Sequence, residues 1–289
     1  MNCSSKQKIL ATGARGMMGS DIIPILSKEF EVLSTDIAEL NVCEPSQVRE
    51  AMASFRPNWV LHMAAMTDLD RCEVEQEAAK AVNFEGTRNI ARACAEFDAG
   101  IIYISTSGVF SGRKKVPYTE DDVPRPKNFY GETKYWGELA VREILPESRR
   151  LILRAGWLFG GGPLDKKFVG KIYKLAKEKG ELSAVEDIFG SPNYSVDIGA
   201  LIIYLVKNNL FGLFHAANEG WANRFQIAEE IVRIANIDCI VKPVPSSFFV
   251  TKAPRPPMEA IENRRLKELG YNMRPWKEAL AEYVFRLAE

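Results

Sequence analysis

Residues 8–19 read Lys8-Ile-Leu-Ala-Thr-Gly13-Ala-Arg15-Gly16-Met17-Met18-Gly19. The apolar run from Lys8 to Ala11 predicts a buried strand, and Ser20 to Lys28 predicts a helix. Strand, glycine turn and helix in that order form the local context of a dinucleotide-binding turn. Glycine permits the tight turn. It also lets backbone N–H groups approach a pyrophosphate, which the positive end of the following helix favours. The spacing is G-x-x-G-x-x-G, which an ordinary strand-to-helix turn also produces. Gly13, Arg15, Gly16, Met17, Met18 and Gly19 are the candidate cofactor contacts here.

The next elements extend the pattern. Glu31 to Thr35 predicts a second strand, ending at Asp36, 17 residues beyond Gly19. A carboxylate there accepts hydrogen bonds from a ribose diol and repels a 2′-phosphate, so it favours NAD(H). Arg15 is the counter-signal, a cation able to meet a 2′-phosphate, and NADP(H) stays open. A turn residue at a strand end is the bland alternative for Asp36. Val48 to Phe55 predicts a helix, and Trp59 to Met63 a buried strand. Ala64 and Ala65 follow, small enough for a flat ring to lie against the backbone. Ala78 to Cys94 predicts one helix carrying Asn83, and Ile101 to Ile104 the next strand.

Strands alternate with helices as far as residue 140, which implies βαβ units with right-handed crossovers. The expected fold is α/β, a Rossmann-type doubly wound parallel sheet with a smaller C-terminal substrate-binding lobe. Residues 1–155 are assigned to the dinucleotide-binding domain, with about 195–217 returning to it, and 156–289 mainly to the lobe. Within the second half, Lys166 to Lys179 predicts an amphipathic helix. Pro243 to Pro257 holds five of the fifteen prolines and predicts a long extended loop.

The chemistry concentrates between Ile101 and Glu138. The strand delivers Ser105, Thr106 and Ser107 at its end, and Tyr130 and Lys134 follow four apart, on one helix face. A phenol is a poor acid or base at neutral pH. An ammonium one turn away is expected to lower its pKa by stabilising the phenolate. A hydroxyl such as Thr106 holds a substrate oxygen where the phenol proton is delivered. That set suits proton transfer at a carbonyl or alcohol oxygen. Tyr173 and Lys177 repeat the spacing without a Ser/Thr strand end before them, and are read as a chance copy.

Composition limits the alternatives. The 38 basic and 38 acidic residues cancel, which argues against a nucleic-acid surface. No apolar run reaches the roughly 18 residues of a membrane span, and the first residues carry no signal-peptide core. Five scattered cysteines without a CxxC pattern imply a reduced, cytoplasmic protein. With only His62 and His215, both in apolar segments, no zinc site is expected.

Taken together, the chain resembles an extended short-chain dehydrogenase/reductase, and most closely the dTDP-4-dehydrorhamnose reductase family. The likeness rests on the glycine loop, Asp36, the Ala64-Ala65 strand end, Ile104-Ser-Thr-Ser-Gly-Val-Phe-Ser-Gly112, Tyr118-Thr-Glu-Asp-Asp122 and Tyr130 to Glu138. Arg154-Ala-Gly-Trp157, Gly190-Ser-Pro-Asn193 and Arg255-Pro256 extend it over nearly the whole chain. The resemblance implies Thr106, Tyr130 and Lys134 as catalytic residues in NAD(P)H-dependent reduction of the 4-keto group of a nucleotide-linked deoxysugar. Further cofactor contacts are implied at Asn41, Val42, Met63, Asn83 and Ser105, with Lys134 holding the nicotinamide ribose. Ser107, Trp157 and Arg255 are implied for the nucleotide sugar: Trp157 packs near the sugar and Arg255 meets the phosphates. A homodimer is implied as well.

Four places depart from the family pattern. Ser107-Gly108 replaces Asp-Tyr, Met17-Met18 replaces Gln-Leu, Asn41 replaces Asp, and Asn223-Arg224-Phe225 stands where Ser-Trp-Tyr is usual. The sugar and the nucleotide therefore stay open. Two other readings share the fold: a non-catalytic, NAD(P)-binding regulatory subunit such as that of methionine adenosyltransferase, and a nucleotide-sugar epimerase or dehydratase. The missing acidic pair beside Thr106 argues against dehydration.

Overall fold

Strand β1 (Lys8–Thr12) leads through the glycine turn into helix α1 (Met17–Glu29) and back to β2 (Glu31–Ser34). The computed structural model describes residues 6–288, so Cys3 lies outside it. The chain continues through α2 (Pro45–Phe55), β3 (Trp59–His62), α3 (Leu69–Val74) and α4 (Gln76–Lys80). After a π-helical turn (Ala81–Gly86) come α5 (Thr87–Glu96), β4 (Gly100–Thr106), α6 (Phe129–Ile144) and β5 (Arg150–Ala155).

These strands are parallel and order as β2-β1-β3-β4-β5, with a late strand closing the far edge. Order reverses at β1, so the crevice outside the ends of β1 and β3 is the switch point where such sheets take ligands. The strands are apolar on both faces because helices cover both. Ile9 and Ala11 turn to one core with Ile22 and Leu26 of α1, and Leu10 turns to the other with Val48 and Ile90.

Beyond β5 the chain builds smaller pieces. These are β6 (Trp157–Phe159), α7 (Phe168–Glu178), β7 (Glu181–Val185), β8 (Phe189–Gly190) and β9 (Pro192–Tyr194). Helix α8 (Ser195–Lys207) then packs on α1, and β10 (Gly212–Ala216) pairs with β5 as the sheet's far edge. The remainder is β11 (Ala222–Asn223), α9 (Arg224–Ala235), β12 (Ile240–Val244), α10 (Arg264–Glu268) and α11 (Trp276–Ala288). The two-stranded pairs β6–β9, β7–β12 and β8–β11 and helices α7, α9 and α11 surround a third core that includes Phe159, Ile172, Ile227 and Tyr283.

Two expectations are corrected. Residues 78–94 are not one helix, because the π turn interrupts them, and α3 precedes them unanticipated. The start of the proline-rich loop is a strand: Pro243 sits in β12, paired with Ala184 of β7. A two-stranded pair leaves half the strand's N–H groups without a ladder partner, so a proline is tolerated there. The second Tyr-x-x-x-Lys copy is structural, with Tyr173 in the third core and the Lys177 Nζ over its ring. Among the described residues no helix is long and apolar enough to cross a membrane.

Candidate active site

The glycine turn lies against the end of β3. Gly13 has φ +65°, and a Cβ there would come within 2.8 Å of the Ala64 N. Both facts require glycine, the first for backbone strain and the second for space. No side chain caps the first turn of α1, whose N-cap is Gly16. The first N–H groups of that helix are thus available to an anion, and the residues fit a dinucleotide pyrophosphate. Asp36 braces the turn: its Oδ2 accepts the Arg15 N–H at 3.0 Å, and its Oδ1 accepts the Ile37 N–H at 2.8 Å. The Arg15 side chain is ion-paired with Glu39 rather than free for a 2′-phosphate. Asn41 closes a local turn by accepting the Cys43 N–H, and Val42 is buried beside it. Thr12 Oγ1 bonds His62 Nδ1 at 2.8 Å and accepts the Ala64 N–H at 3.3 Å, so β1 fixes the Met63-Ala64-Ala65 strand end.

Two implied cofactor contacts have side chains already committed within the protein. Asn83 is fully buried, and its amide is committed: Oδ1 accepts the Met66 N–H, and Nδ2 donates to Met66 O and to Thr133 Oγ1. The π turn that carries it ties the loop after β3 to α6; it does not open Asn83 to the crevice. Ser105 donates to Glu138 Oε1 at 2.5 Å, so its hydroxyl points into the α6–β5 interface. Ser107 is likewise closed off, buried in the 3₁₀ turn that ends β4, which does not suit direct side-chain contact with substrate.

Thr106, Tyr130 and Lys134 converge where β4 ends and α6 begins. Asn128 caps α6 by accepting the Gly131 N–H at 2.9 Å, and donates to Pro254 O, which seats the helix start under the proline-rich loop. Thr106 Oγ1 accepts the Gly108 N–H at 3.0 Å, which leaves its own proton to donate. A hydrogen bond from Thr106 favours the phenolate of Tyr130, yet burial dominates and pushes the phenol up to about 12. The expected lowering by Lys134 is therefore corrected. The Lys134 ammonium, 3 % exposed, lies 4.1 Å from the centroid of the Tyr103 ring. Burial pulls it down to about 7, and the charge of Glu138 opposes that fall.

Glu138 was not singled out from sequence. It is fully buried, takes Arg154 on both oxygens at 2.9 and 2.7 Å, and accepts Ser105. Its position, one turn after Lys134 on the same face, was the signal that could have found it. Both histidines are structural. His62 is held between Thr12 and Thr87, and His215 bonds Glu262 O; burial drops both to about 3.

The opposite wall of the crevice comes from the lobe. Trp157 donates its indole N–H to Glu259 Oε2 at 2.8 Å. One indole face lies on Gly190, where any Cβ would collide with the ring. The Arg224 guanidinium covers the other face, 3.6 Å from the ring centroid, and Phe168 backs it at 4.6 Å. With Gly190 and Arg224 against the indole, it is the ring edge that remains for a sugar packed nearby. Arg255 donates to Asp70 at 2.9 Å and to Ala253 O. Glu259 and Arg224 had no local sequence signal as a pair, since Trp157 and Glu259 lie 102 residues apart.

A parallel sheet with a glycine turn at its switch point, and a hydroxyl, a phenol and an ammonium at the neighbouring strand end, define an extended short-chain dehydrogenase/reductase fold. The family model described as RmlD substrate binding domain matches residues 7–289, and the chain belongs to that family. It is 35 % identical over 282 residues to a dTDP-4-dehydrorhamnose reductase of Streptomyces griseus, across 94 % of this chain and 91 % of that one. A solved dTDP-4-dehydrorhamnose reductase of Clostridium acetobutylicum is 34 % identical with a TM-score of 0.94, over 98 % of this chain and 100 % of that one. The enzyme of the same name from Bacillus anthracis, solved in complex with NADP, is 33 % identical with a TM-score of 0.93, over 97 % and 99 %.

Proposed function

We propose that the protein reduces the 4-keto group of a nucleotide-activated deoxysugar with NADH or NADPH, as a dTDP-4-dehydrorhamnose reductase-like enzyme. The observation that carries this reading is the convergence of Thr106, Tyr130 and Lys134 beside the β1/β3 crevice. The nicotinamide dinucleotide supplies the hydride. Residues 13–19 would hold its pyrophosphate and Asp36 its adenosine ribose, and the family resemblance gives the second ribose to Lys134.

The side chains supply the proton and the geometry. Thr106, oriented by the Gly108 N–H, turns its one proton from Tyr130 to the substrate's carbonyl oxygen when substrate is bound. Tyr130 delivers its proton to the same oxygen as negative charge develops there. Reduction needs that phenol loaded, and a pKa pushed up to about 12 keeps it protonated through the neutral range. The nearby Lys134 ammonium offsets the charge left on the phenolate after transfer. Asp36 favours NADH, whereas Arg15 would have to leave Glu39 to meet a 2′-phosphate. The family resemblance also implies a homodimer, which light scattering of the purified protein tests.

The reading is tested by following NADH and NADPH oxidation with a panel of 4-keto-6-deoxy sugar nucleotides. Turnover of at least one is expected. Tight cofactor binding with no oxidation of any of them would overturn it and favour a regulatory subunit.

A further inference from the structure

The proline-rich segment after β12 is held at its two ends. At the lobe end, Asp187, between β7 and β8, accepts the Ser246 N–H at 2.8 Å and the Ser246 hydroxyl at 3.0 Å. At the sheet end, Asp70 in α3 takes three bonds on one oxygen. Its Oδ1 accepts the Lys252 N–H at 3.1 Å, the Ala253 N–H at 2.9 Å and the Arg255 guanidinium at 2.9 Å. Between these anchors Phe248, Phe249 and Val250 are all exposed, the last completely. A segment that buries no apolar side chain is fixed by its anchors and not by packing.

The sheet end lies beside the candidate reacting groups. Asn128, which caps α6 two residues before Tyr130, donates to Pro254 O. A Cβ on Gly112, in the loop after β4, would strike Pro256 at 2.6 Å. Asp70 follows the Ala64-Ala65 strand end, and Glu259, four residues past Arg255, holds the Trp157 indole. The segment therefore runs from one wall of the crevice to the other, next to Tyr130. Pro254, Pro256 and Pro257 fix φ, so movement falls on residues 247–252 and not on the part that meets α6.

We propose that Asp70 is a positioning residue that clasps this strap across the crevice, and that the clasp gates passage of the nucleotide sugar. The inference rests on the reductase reading for the choice of ligand. Three bonds converge on one oxygen, so a single side chain decides whether the strap is shut. The Asp70 side chain is 38 % exposed, so water can replace the three bonds and the clasp opens without unfolding its surroundings. A gate adds an opening step to entry and to exit alike. It therefore slows both rates while equilibrium affinity changes little.

Hydrogen exchange and stopped-flow binding of dTDP and UDP test this on wild type, Asp70→Ala and Asp70→Asn. In Asp70→Ala the amides of Lys252 and Ala253 are expected to exchange about 10- to 100-fold faster, the size of two or three lost hydrogen bonds. The on-rate and off-rate of the nucleotide should rise together, about 10-fold, with NADPH affinity unchanged. Asp70→Asn keeps an acceptor at Oδ1 and should return both readouts most of the way to wild type, a rescue that a general loss of structure would not give. Asp187→Ala frees only the lobe anchor and should raise the rates less. Unaltered exchange at Lys252 and Ala253 would overturn the clasp. A faster off-rate with an unchanged on-rate would overturn the gate, because it marks a lost ligand contact. So would a wild type that binds neither nucleotide, or an equal loss of NADPH affinity. A wild type whose two nucleotide rates depend on Asp70 but which oxidises no cofactor with any 4-keto sugar would sink the reductase reading and leave the gate standing.

Discussion

The two walls of the crevice are built differently. On the sheet side, Thr106, Tyr130, Lys134 and Glu138 come from one strand, one helix and 33 consecutive residues. On the lobe side, Trp157, Arg224 and Glu259 come from three separate elements, and an indole N–H and a carboxylate 102 residues apart hold them. The first wall is stiff because a parallel sheet and α6 sandwich it. The second depends on short strands and a stack of rings, with a cation between them. The groups proposed to deliver the proton thus sit on the rigid side, and the groups proposed to meet the substrate sit on the more easily rebuilt side.

Substitutions on the two walls should separate chemistry from recognition. The largest effect is expected from Tyr130→Phe, which removes only the proton donor. Turnover should fall about 10²- to 10⁴-fold with cofactor Kd unchanged, read by steady-state rates and fluorescence titration. Equal turnover in the two proteins would remove the phenol from the mechanism.

Next comes Glu138→Gln. It leaves Arg154 buried without its carboxylate, so urea denaturation should show a loss of about 3 kcal/mol. The same change removes the charge that stops the burial-driven fall of Lys134 at about 7. The Lys134 pKa then falls further. If the ammonium form is the working one, kcat/KM declines as pH rises past that pKa, and in Glu138→Gln the decline begins at lower pH. An alkaline limb that stays put would show that Lys134 does not set it.

Smaller is Gly13→Ala, which forces φ +65° on alanine and drives a Cβ into the Ala64 backbone. A loss of about 1–3 kcal/mol is expected, divided between stability and dinucleotide affinity. Unchanged melting and unchanged cofactor Kd would contradict the close approach. The smallest effect belongs to Asp36→Ala, which should reduce any preference for NADH over NADPH about 3- to 10-fold. Kd values for both cofactors measure it, and an unaltered ratio would take Asp36 out of cofactor choice.

The difference between the walls also explains what could be read in advance. Apolar strands ending in Gly13, Ala64 and Thr106, each followed by helical spacing, are local patterns, and the sheet follows from them. The interruption at Ala81–Gly86 was not legible, since residues 78–94 carry an ordinary helical pattern. What widens the turn is the need for Asn83 to reach Met66 and Thr133 together. Likewise Ser105 and Ser107 stand at the right strand end, but alternation and the tight turn send both inward.

Periodicity, glycine placement and the four-residue step from Tyr130 to Lys134 determined the doubly wound sheet and the choice of candidate reacting groups, because each is fixed by neighbours within a few residues. Only the tertiary structure decided the state of those groups. Burial, which no local pattern records, raises the phenol of Tyr130 and lowers the ammonium of Lys134. The stacking of Arg224 on Trp157 was decided there too, since packing across the lobe brings together residues far apart in the chain.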